Sequence, residues 1–394
     1  MARPGATPFA WLLVAASCLP GGAPLPAQTK AATPPAFAAL SAKANDARES
    51  NRLEEAAGLY RKALALRPQW AEGWWSLGTI QYEQNGYLEA AQAFQKVVAL
   101  SPKMGVAWAM LGLCESELGR DDNALRHIQK GQSLGIGDDL QLRKVVLYHE
   151  GALLQRRGWF KEAQLRLRSL CWVGVETGEL TQALGMTALL MPGKKPPATG
   201  APDAEIVTRV GRAECLAGQK KYDEARREYD ALAADHPDYP NLHYAYGWFL
   251  LGAGDVPAGR RELDLEIKNN PRHVMARLQI AGALHKVDPA TGLPYAEQAV
   301  KLDPELPLGH YILGLLLLDT DDYVRATAEL ETVRRSSPGE ARVYVALGAA
   351  YARAGREEDA AGARAAFLRL QQKAGKEREL LAVPGTATDD PAPH

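Results

Sequence analysis

The residues that could carry catalytic or metal chemistry are scattered along this 394-residue chain. Eight histidines are present, yet no two of them stand four residues apart around a glutamate, the spacing that builds many zinc sites. The acidic run of Asp319, Asp321 and Asp322 lacks the bidentate glutamate of a calcium loop, so we interpret it as a loop between two helices. Phosphate-binding loops, nucleophile elbows and dinucleotide fingerprints are also absent. The sequence therefore predicts a protein that is not an enzyme, with no catalytic residue, no cofactor and no metal site.

The charge balance restricts the class of partner. The chain carries 46 lysines and arginines against 47 aspartates and glutamates, for a formal net charge of -1. Nucleic acids and anionic membrane surfaces attract proteins with a basic excess. This balance gives no electrostatic reason to expect either of them as a partner.

The sequence does contain a repeat. Residues 71–102 hold landmarks that recur 34 residues later, where Trp74, Leu77-Gly78 and Ala90 are echoed by Trp108, Leu111-Gly112 and Ala124. Four later prolines keep nearly the same register, at spacings of 34, 33 and 34: Pro237, Pro271, Pro304 and Pro338. Proline ends a helix because it lacks an N–H group and its ring clashes with the preceding turn. A fixed period of this length is typical of stacked helical units, so we expect an all-α chain.

The order of residues within a unit resembles the tetratricopeptide repeat. That pattern has a large residue, then Leu-Gly, then Gly-Tyr-x-x-Ala, an aromatic residue, a small residue and a closing proline. Residues 71–102 match it best, through Trp74, Gly78, Tyr87, Phe94 and Pro102. Small residues are expected where the two helices of a unit cross, since they let the backbones approach closely. We interpret the following residues in this way: Gly78, Ala90, Gly112, Ala124, Gly151, Ala163, Ala225, Gly247, Gly314, Ala326, Gly348 and Ala360. The resemblance implies a superhelical solenoid of antiparallel helix pairs.

Two arrays of such units are expected, because the period is interrupted once. The first array covers residues 37–172 with about four units, and the second covers 204–380 with about five units and a capping helix. Residues 173–203 between them are expected to form an extra helix and a linker rich in proline and glycine. We expect residues 28–36 and 381–394 to be a disordered leader and tail.

Residues 1–27 have the pattern of a signal peptide. Arg3 supplies a positive charge, residues 9–19 (FAWLLVAASCL) form an 11-residue apolar core, and Ala27 precedes the expected cleavage point. This core is too short to span a bilayer comfortably, and no later stretch is long and apolar enough. A second interpretation stays open at Cys18, because the run from Ala15 to Cys18 faintly resembles the lipidation box of bacterial lipoproteins. We expect an exported protein, in the bacterial periplasm or secreted, with lipidation at Cys18 as the alternative.

The resemblance also implies a binding surface. In this family the first helix of each unit lines a concave groove, and its fifth position points into that groove. Six aromatic residues stand at or beside such positions: Trp75, Tyr82, Tyr148, Tyr244, Trp248 and Tyr311. Aromatic side chains are frequent anchors in protein recognition, so we interpret them as a partner-binding strip. Packing against the neighbouring unit is the alternative for each of them.

These observations together predict an exported scaffold. We expect it to bind a protein or peptide segment in the groove, and to prefer an extended or helical segment with apolar side chains. The lysines with which part of this family grips a C-terminal carboxylate are absent. The alternative is a structural or lipid-anchored component of a cell-envelope assembly, or of an export complex for polysaccharide or protein.

Overall fold

A computed structural model describes residues 35–193, 195–198 and 200–381, with side chains described as far as residue 373. These residues form 19 α-helices and no β-strand, which confirms the predicted all-α fold. None of these helices combines the length and the apolar character that crossing a membrane requires. The predicted signal peptide, Cys18, most of the predicted leader and residues 382–394 of the predicted tail lie outside the described residues.

The chain divides into two compact units. Of the described residues, the first unit contains those up to Gly211 and residues 218–220, and the second contains residues 212–217 and those from Lys221 onward. In the first unit the helices are α1 Pro35–Glu49, α2 Leu53–Leu66, α3 Ala71–Glu83, α4 Tyr87–Leu100, α5 Gly105–Glu117, α6 Asp121–Leu134, α7 Leu140–Arg156, α8 Phe160–Trp172 and α9 Gly178–Ala188. The boundary between the units falls within α10, Pro202–Gly218.

The second unit continues the pattern of short, paired helices. Its helices are α11 Tyr222–Asp235, α12 Leu242–Gly252, α13 Val256–Asn269, α14 Val274–Leu284, α15 Pro289–Leu302, α16 Pro307–Asp319, α17 Tyr323–Ser336, α18 Ala341–Arg353 and α19 Glu357–Leu381. Helices pack in consecutive pairs, such as α3 with α4 or α16 with α17. We call the first helix of each of these pairs helix A and the second helix B. The A helices are α1, α3, α5, α7, α12, α14, α16 and α18.

Small residues lie where the two helices of a pair cross. The predicted alanines at the crossings are fully buried: Ala90, Ala124, Ala163, Ala225, Ala326 and Ala360. A Cβ atom added at Gly112 would lie 2.8 Å from the carbonyl oxygen of Ala124, so the backbones of α5 and α6 are in contact. At Gly314 an added Cβ would lie 2.7 Å from Cγ of Leu330, and Gly78, Gly151 and Gly247 are similarly confined by side chains of helix B. Gly348 differs, because its nearest heavy atom would be 3.8 Å away.

A repeated hydrogen bond docks helix A onto the proline that closes the preceding pair. The donor always stands six residues after the proline, and the proline carbonyl accepts. The bonds are Trp74 Nε1 to Pro68 (2.8 Å), Trp108 Nε1 to Pro102 (2.9 Å), His243 Nε2 to Pro237 (2.8 Å), His310 Nε2 to Pro304 (2.7 Å) and Tyr344 OH to Pro338 (2.9 Å). Carbonyls at a helix C-terminus lack an intrahelical partner. The closing proline therefore both ends one helix pair and anchors the next.

Helix α9 lies within residues 173–203 and packs on the first half of α10. An added Cβ at Gly185 would overlap the carbonyl oxygen of Val207, and one at Gly211 would overlap that of Thr181. Two glycines thus let α9 and the first half of α10 pack backbone against backbone. Because of this close packing, the first unit extends through the predicted linker to Gly211.

Candidate partner-binding surface

Several neighbouring A helices are in contact, and the extra helix α9 also contacts the A helix before it. In the first unit α7 contacts both α5 and α9, and in the second unit α14 contacts α12 and α16, while α16 also contacts α18. The B helices of successive pairs do not approach each other as closely in the described residues. Contacts between successive pairs therefore involve A helices rather than two B helices.

Four of the six predicted aromatic residues are half-buried on A helices. Trp75 meets the edge of Phe94 at a ring distance of 5.4 Å, and Tyr148 meets His149 at 5.5 Å. Trp248 meets Tyr244 at 5.7 Å, also edge to face. The guanidinium of Arg342 lies 4.9 Å from the ring centre of Tyr311. Each of these rings keeps part of its surface accessible to a partner.

The other two predicted residues, Tyr82 and Tyr244, are interior residues. Tyr82 is 6% exposed and packs edge to face on Tyr87, the first residue of α4, at 5.4 Å. Tyr244 is 1% exposed and stacks on His273, the residue before α14, at 4.9 Å. Burial raises the pKa of both phenols. A residue of a neighbouring element covers each ring, so neither ring offers a contact surface to a partner.

The ends of the A helices in the first unit hold a polar cluster that the sequence analysis missed. Glu117 is the last residue of α5, and its Oε1 atom lies 3.7 Å from His149 Nε2 on α7. His149 Nδ1 lies 3.1 Å from Ser116 Oγ. Burial lowers the pKa of His149 to about 4, with a smaller contribution from Arg156, so the ring is neutral near pH 7. Burial raises the pKa of Glu117, although the charge of Arg156 acts against it.

One signal in the sequence could have located this cluster. Glu83 and Glu117 stand 34 residues apart, and each is the last residue of its A helix. The C-terminus of a helix carries a partial negative charge, so an acidic residue there is unfavourable by itself. A carboxylate recurring at that position is a departure from the usual charge pattern.

The described residues contain no group of three potential metal ligands. Of the acidic run singled out in the sequence, Asp319 ends α16, and Asp321 and Asp322 lie in the connection to α17. Within it, Asp322 caps α17 by accepting a hydrogen bond from the backbone N–H of Arg325 at 3.1 Å. This bond gives one member of the run a structural role.

Comparison with protein families gives one match. A family model described as "Tetratricopeptide repeat" matches residues 41–105, 78–138, 211–273 and 313–375. These ranges together cover more than half of the chain. No curated protein matches the sequence.

Several solved structures are similar to this chain at low sequence identity. MamA from Desulfovibrio magneticus RS-1 is 21% identical with a TM-score of 0.40, and the match covers 42% of this chain and 94% of that one. YrrB, described as a TPR protein with an unusual peptide-binding site, is 17% identical with a TM-score of 0.38, covering 44% and 90%. The Cut9-Hcn1 hetero-tetramer of the APC/C matches at 12% identity and a TM-score of 0.35, covering 88% and 89%. At these scores the structures identify no partner for the chain.

Proposed function

Because the chain belongs to the tetratricopeptide repeat family, we propose that it is a scaffold whose A helices hold a segment of another protein. The observation that carries this proposal is the set of half-buried aromatic side chains on A helices: Trp75 and Tyr148 in the first unit, Trp248 and Tyr311 in the second. Rigid aromatic side chains that keep some accessible surface are common anchors of protein interfaces. Repeat proteins of this type use their inner surface for binding.

The surroundings of Tyr311 support a segment with apolar side chains. Val345 occupies the corresponding position on α18 and is 55% exposed. Ile312 and Leu315 lie on the same helix as Tyr311 and are only partly buried. An extended or helical segment that inserts apolar side chains would remove this surface from water.

Two sets of substitutions test the proposal. The first replaces the four A-helix anchors, Trp75, Tyr148, Trp248 and Tyr311, with alanine. The matched control replaces four exposed apolar residues of B helices with alanine: Leu88, Leu165, Leu265 and Val324, which are 44, 61, 41 and 78% exposed. Proteins retained from an extract of the source cells are quantified by mass spectrometry, and circular dichroism checks that each variant remains helical.

We expect the A-helix set to lose partners that the wild type and the control set retain. Retention of the same partners by the folded A-helix variant would refute binding through these side chains. Loss in the control set alone would place the binding surface on the B helices instead.

The proposal includes export from the cytoplasm. Arg3, the apolar run at residues 9–19 and Ala27 support it, because together they have the composition of a cleaved signal peptide. Mass spectrometry of the mature N-terminus tests this point. A chain starting near Gln28 agrees with a freely exported scaffold, whereas a lipidated Cys18 at the N-terminus would favour an anchored component of an envelope assembly. An intact N-terminus in the cytoplasmic fraction would refute export.

A further inference from the structure

Helix α8 carries an apolar face where the other B helices carry polar or small residues. Leu165 and Trp172 are 61 and 58% exposed, and Val173, which follows the helix, is 52% exposed. Because Leu165 and Trp172 stand seven residues apart, about two turns of the helix separate them and both lie on one face. We call these three residues the α8 patch.

The repeat itself gives no reason for this patch. Leu165 stands fourteen residues after Gly151, the glycine of its helix crossing, and Trp172 stands twenty-one residues after it. The residues that correspond to Leu165 after Gly78, Gly112, Gly247, Gly314 and Gly348 are Gln92, Arg126, Arg261, Ala328 and Gly362, and those that correspond to Trp172 are Ala99, Ser133, Lys268, Arg335 and Arg369. All ten are exposed, and none has a large apolar side chain. Among these helices the exposed apolar pair is specific to α8, as expected for an interaction surface.

One end of the α8 patch holds a cation and a carboxylate. Lys220 Nζ lies 4.8 Å from the ring centre of Trp172. Gln219, next to Lys220, donates from Nε2 to Glu176 Oε1 at 2.7 Å, so Glu176 lies at the same end. Both Lys220 and Glu176 are exposed. A molecule that covers Trp172 therefore meets both signs of charge.

The other end also holds both signs of charge. Lys161 and Glu162 are exposed in the first turn of α8, about one turn before the apolar pair. Between the two ends, Ser169 is small and exposed. Arg168 begins beside α10, where its Cβ lies 3.4 Å from the position of a Cβ added at Gly218. The middle of the patch is thus open to the close approach of another helix.

These positions match a second copy of the chain in the opposite orientation. A two-fold axis midway between Leu165 and Trp172 sets Leu165 of each copy against Trp172 of the other, because residues equally far from the axis meet. Lys161 and Glu176 each stand four residues outside this pair, so the axis also brings the cation of one copy toward the carboxylate of the other. An anionic lipid surface fits less well, since the carboxylates of Glu162 and Glu176 would face it.

We propose that the α8 patch joins two copies of this chain as an antiparallel, two-fold pair. The apolar side chains form the centre of the contact, and the charges at its ends set the orientation. The patch lies on a B helix, so the A helices of the first unit stay available to another protein. A contact built around one helix of each copy is small, and we expect the pair to be transient.

Sedimentation equilibrium over a wide range of protein concentration tests the pairing. The first variant combines Leu165→Gln and Trp172→Ser, the residues that this chain itself carries at the equivalent positions of α4 and α6. The matched control combines Leu88→Gln and Val324→Ser, which remove side chains that are 44 and 78% exposed on α4 and α17. Circular dichroism checks that both variants remain helical.

We expect the wild type and the control to dimerise with the same affinity. The dissociation constant should rise by about tenfold or more in the first variant, because it loses the centre of the interface twice in each pair. A wild type that stays monomeric at all concentrations would overturn the inference, as would equal affinity of the folded first variant.

A charge exchange tests the antiparallel orientation separately. Lys161→Glu should weaken the wild-type dimer by about fivefold or more at low salt, since the change places like charges together at two equivalent points. Adding Glu176→Lys to the same chain should restore the affinity. If the double variant associates no better than Lys161→Glu alone, the proposed antiparallel pairing is wrong.

The outcome is independent of that of the proposed function. The B-helix alanine set contains Leu165→Ala, so it should dimerise more weakly while still retaining proteins from the extract. The A-helix alanine set should lose those proteins and still dimerise. Each proposal can therefore fail while the other stands.

Discussion

The two histidines that dock A helices in the second unit should make its stability depend on pH. His310 donates from Nε2 to the Pro304 carbonyl at 2.7 Å, and its Nδ1 lies 2.5 Å from Glu329 Oε2. His243 is arranged in the same way, 2.8 Å from the Pro237 carbonyl and 2.7 Å from Glu262 Oε2. Carbonyl and carboxylate oxygens only accept hydrogen bonds. Each ring therefore makes both bonds to these acceptors only in its imidazolium form, with a proton on each nitrogen.

The surrounding charges act in the same direction. Burial by itself would lower the pKa of His310, but the bonds to Glu329 and Pro304 and the nearby Glu305 outweigh it, and the pKa is raised. The bond to Glu262 raises the pKa of His243 more than burial lowers it, and Glu266 adds to the rise. A histidine with a raised folded-state pKa stabilises the fold fully below its ordinary pKa of about 6.5. That contribution disappears as the pH rises through the folded-state value.

The substitution His310→Tyr tests this reasoning with a side chain that the chain itself uses. Tyr344 makes the same bond to Pro338 on α18 through a neutral hydroxyl. The variant should thus keep the link to the proline and lose the charged bond to Glu329. A hydrogen bond to a charged group contributes about 1.5–3 kcal/mol. Because 24% of the Glu329 side chain is exposed and solvent screens the pair, we expect a loss of about 1 kcal/mol near pH 5.5.

Urea unfolding followed by circular dichroism between pH 5.5 and 9 measures the effect. The free energy of unfolding of the wild type should fall relative to that of His310→Tyr as the pH rises, so the two curves converge near pH 9. The double variant with His243→Tyr should show a further flattening. Nitrogen NMR of the rings reports their protonation directly. Parallel curves, or a neutral His310 ring at pH 6, would refute the argument.

Two further predictions concern the ends and the crossings of the helices. Gly112→Ala should destabilise the fold by about 1–2 kcal/mol, because the new methyl meets the backbone of α6, whereas Gly348→Ala should be neutral or stabilising by up to about 1 kcal/mol because nothing lies within 3.8 Å. Thermal melting of both variants checks this, and shifts of the same size and sign would contradict the assigned crossing geometry. Glu117→Gln should raise the melting temperature, since it removes a negative charge from a helix C-terminus. Glu89→Gln, in the first turn of α4, should lower it slightly. Each change corresponds to about 0.3–1 kcal/mol in the free energy of unfolding. A lower melting temperature for Glu117→Gln would show that its charge is already balanced within the chain.

The helix pairs could be predicted from the sequence because the landmarks of each pair are local. Trp74, Gly78 and Ala90 lie within one unit, and their recurrence fixes where the helices cross. The docking bonds left a weaker signal. The residue six positions after a closing proline is tryptophan, histidine or tyrosine in five cases, and all three can donate a hydrogen bond, whereas Arg277 follows Pro271 and bonds to the His273 carbonyl instead.

The exposure of the aromatic residues could not be predicted in the same way. Tyr244 and Tyr311 occupy equivalent positions, yet Tyr244 is buried because His273, 29 residues later, stacks on it. The surroundings of Glu117 depend similarly on what α7 places beside it, namely His149 and the charge of Arg156. The tight contact of α9 with α10 depends on Gly185 and Gly211, which belong to no repeat motif.

The docking bonds divide the chain by its response to acidity. Trp74 and Trp108 dock the first unit through indole N–H groups that stay protonated at any pH a cell meets, whereas the second unit relies on His243 and His310. Helix pairs that dock with the same geometry thus differ in how the docking bond responds to pH. In a more alkaline compartment the docking bonds of His243 and His310 in the second unit weaken, whereas those of Trp74 and Trp108 in the first unit do not change.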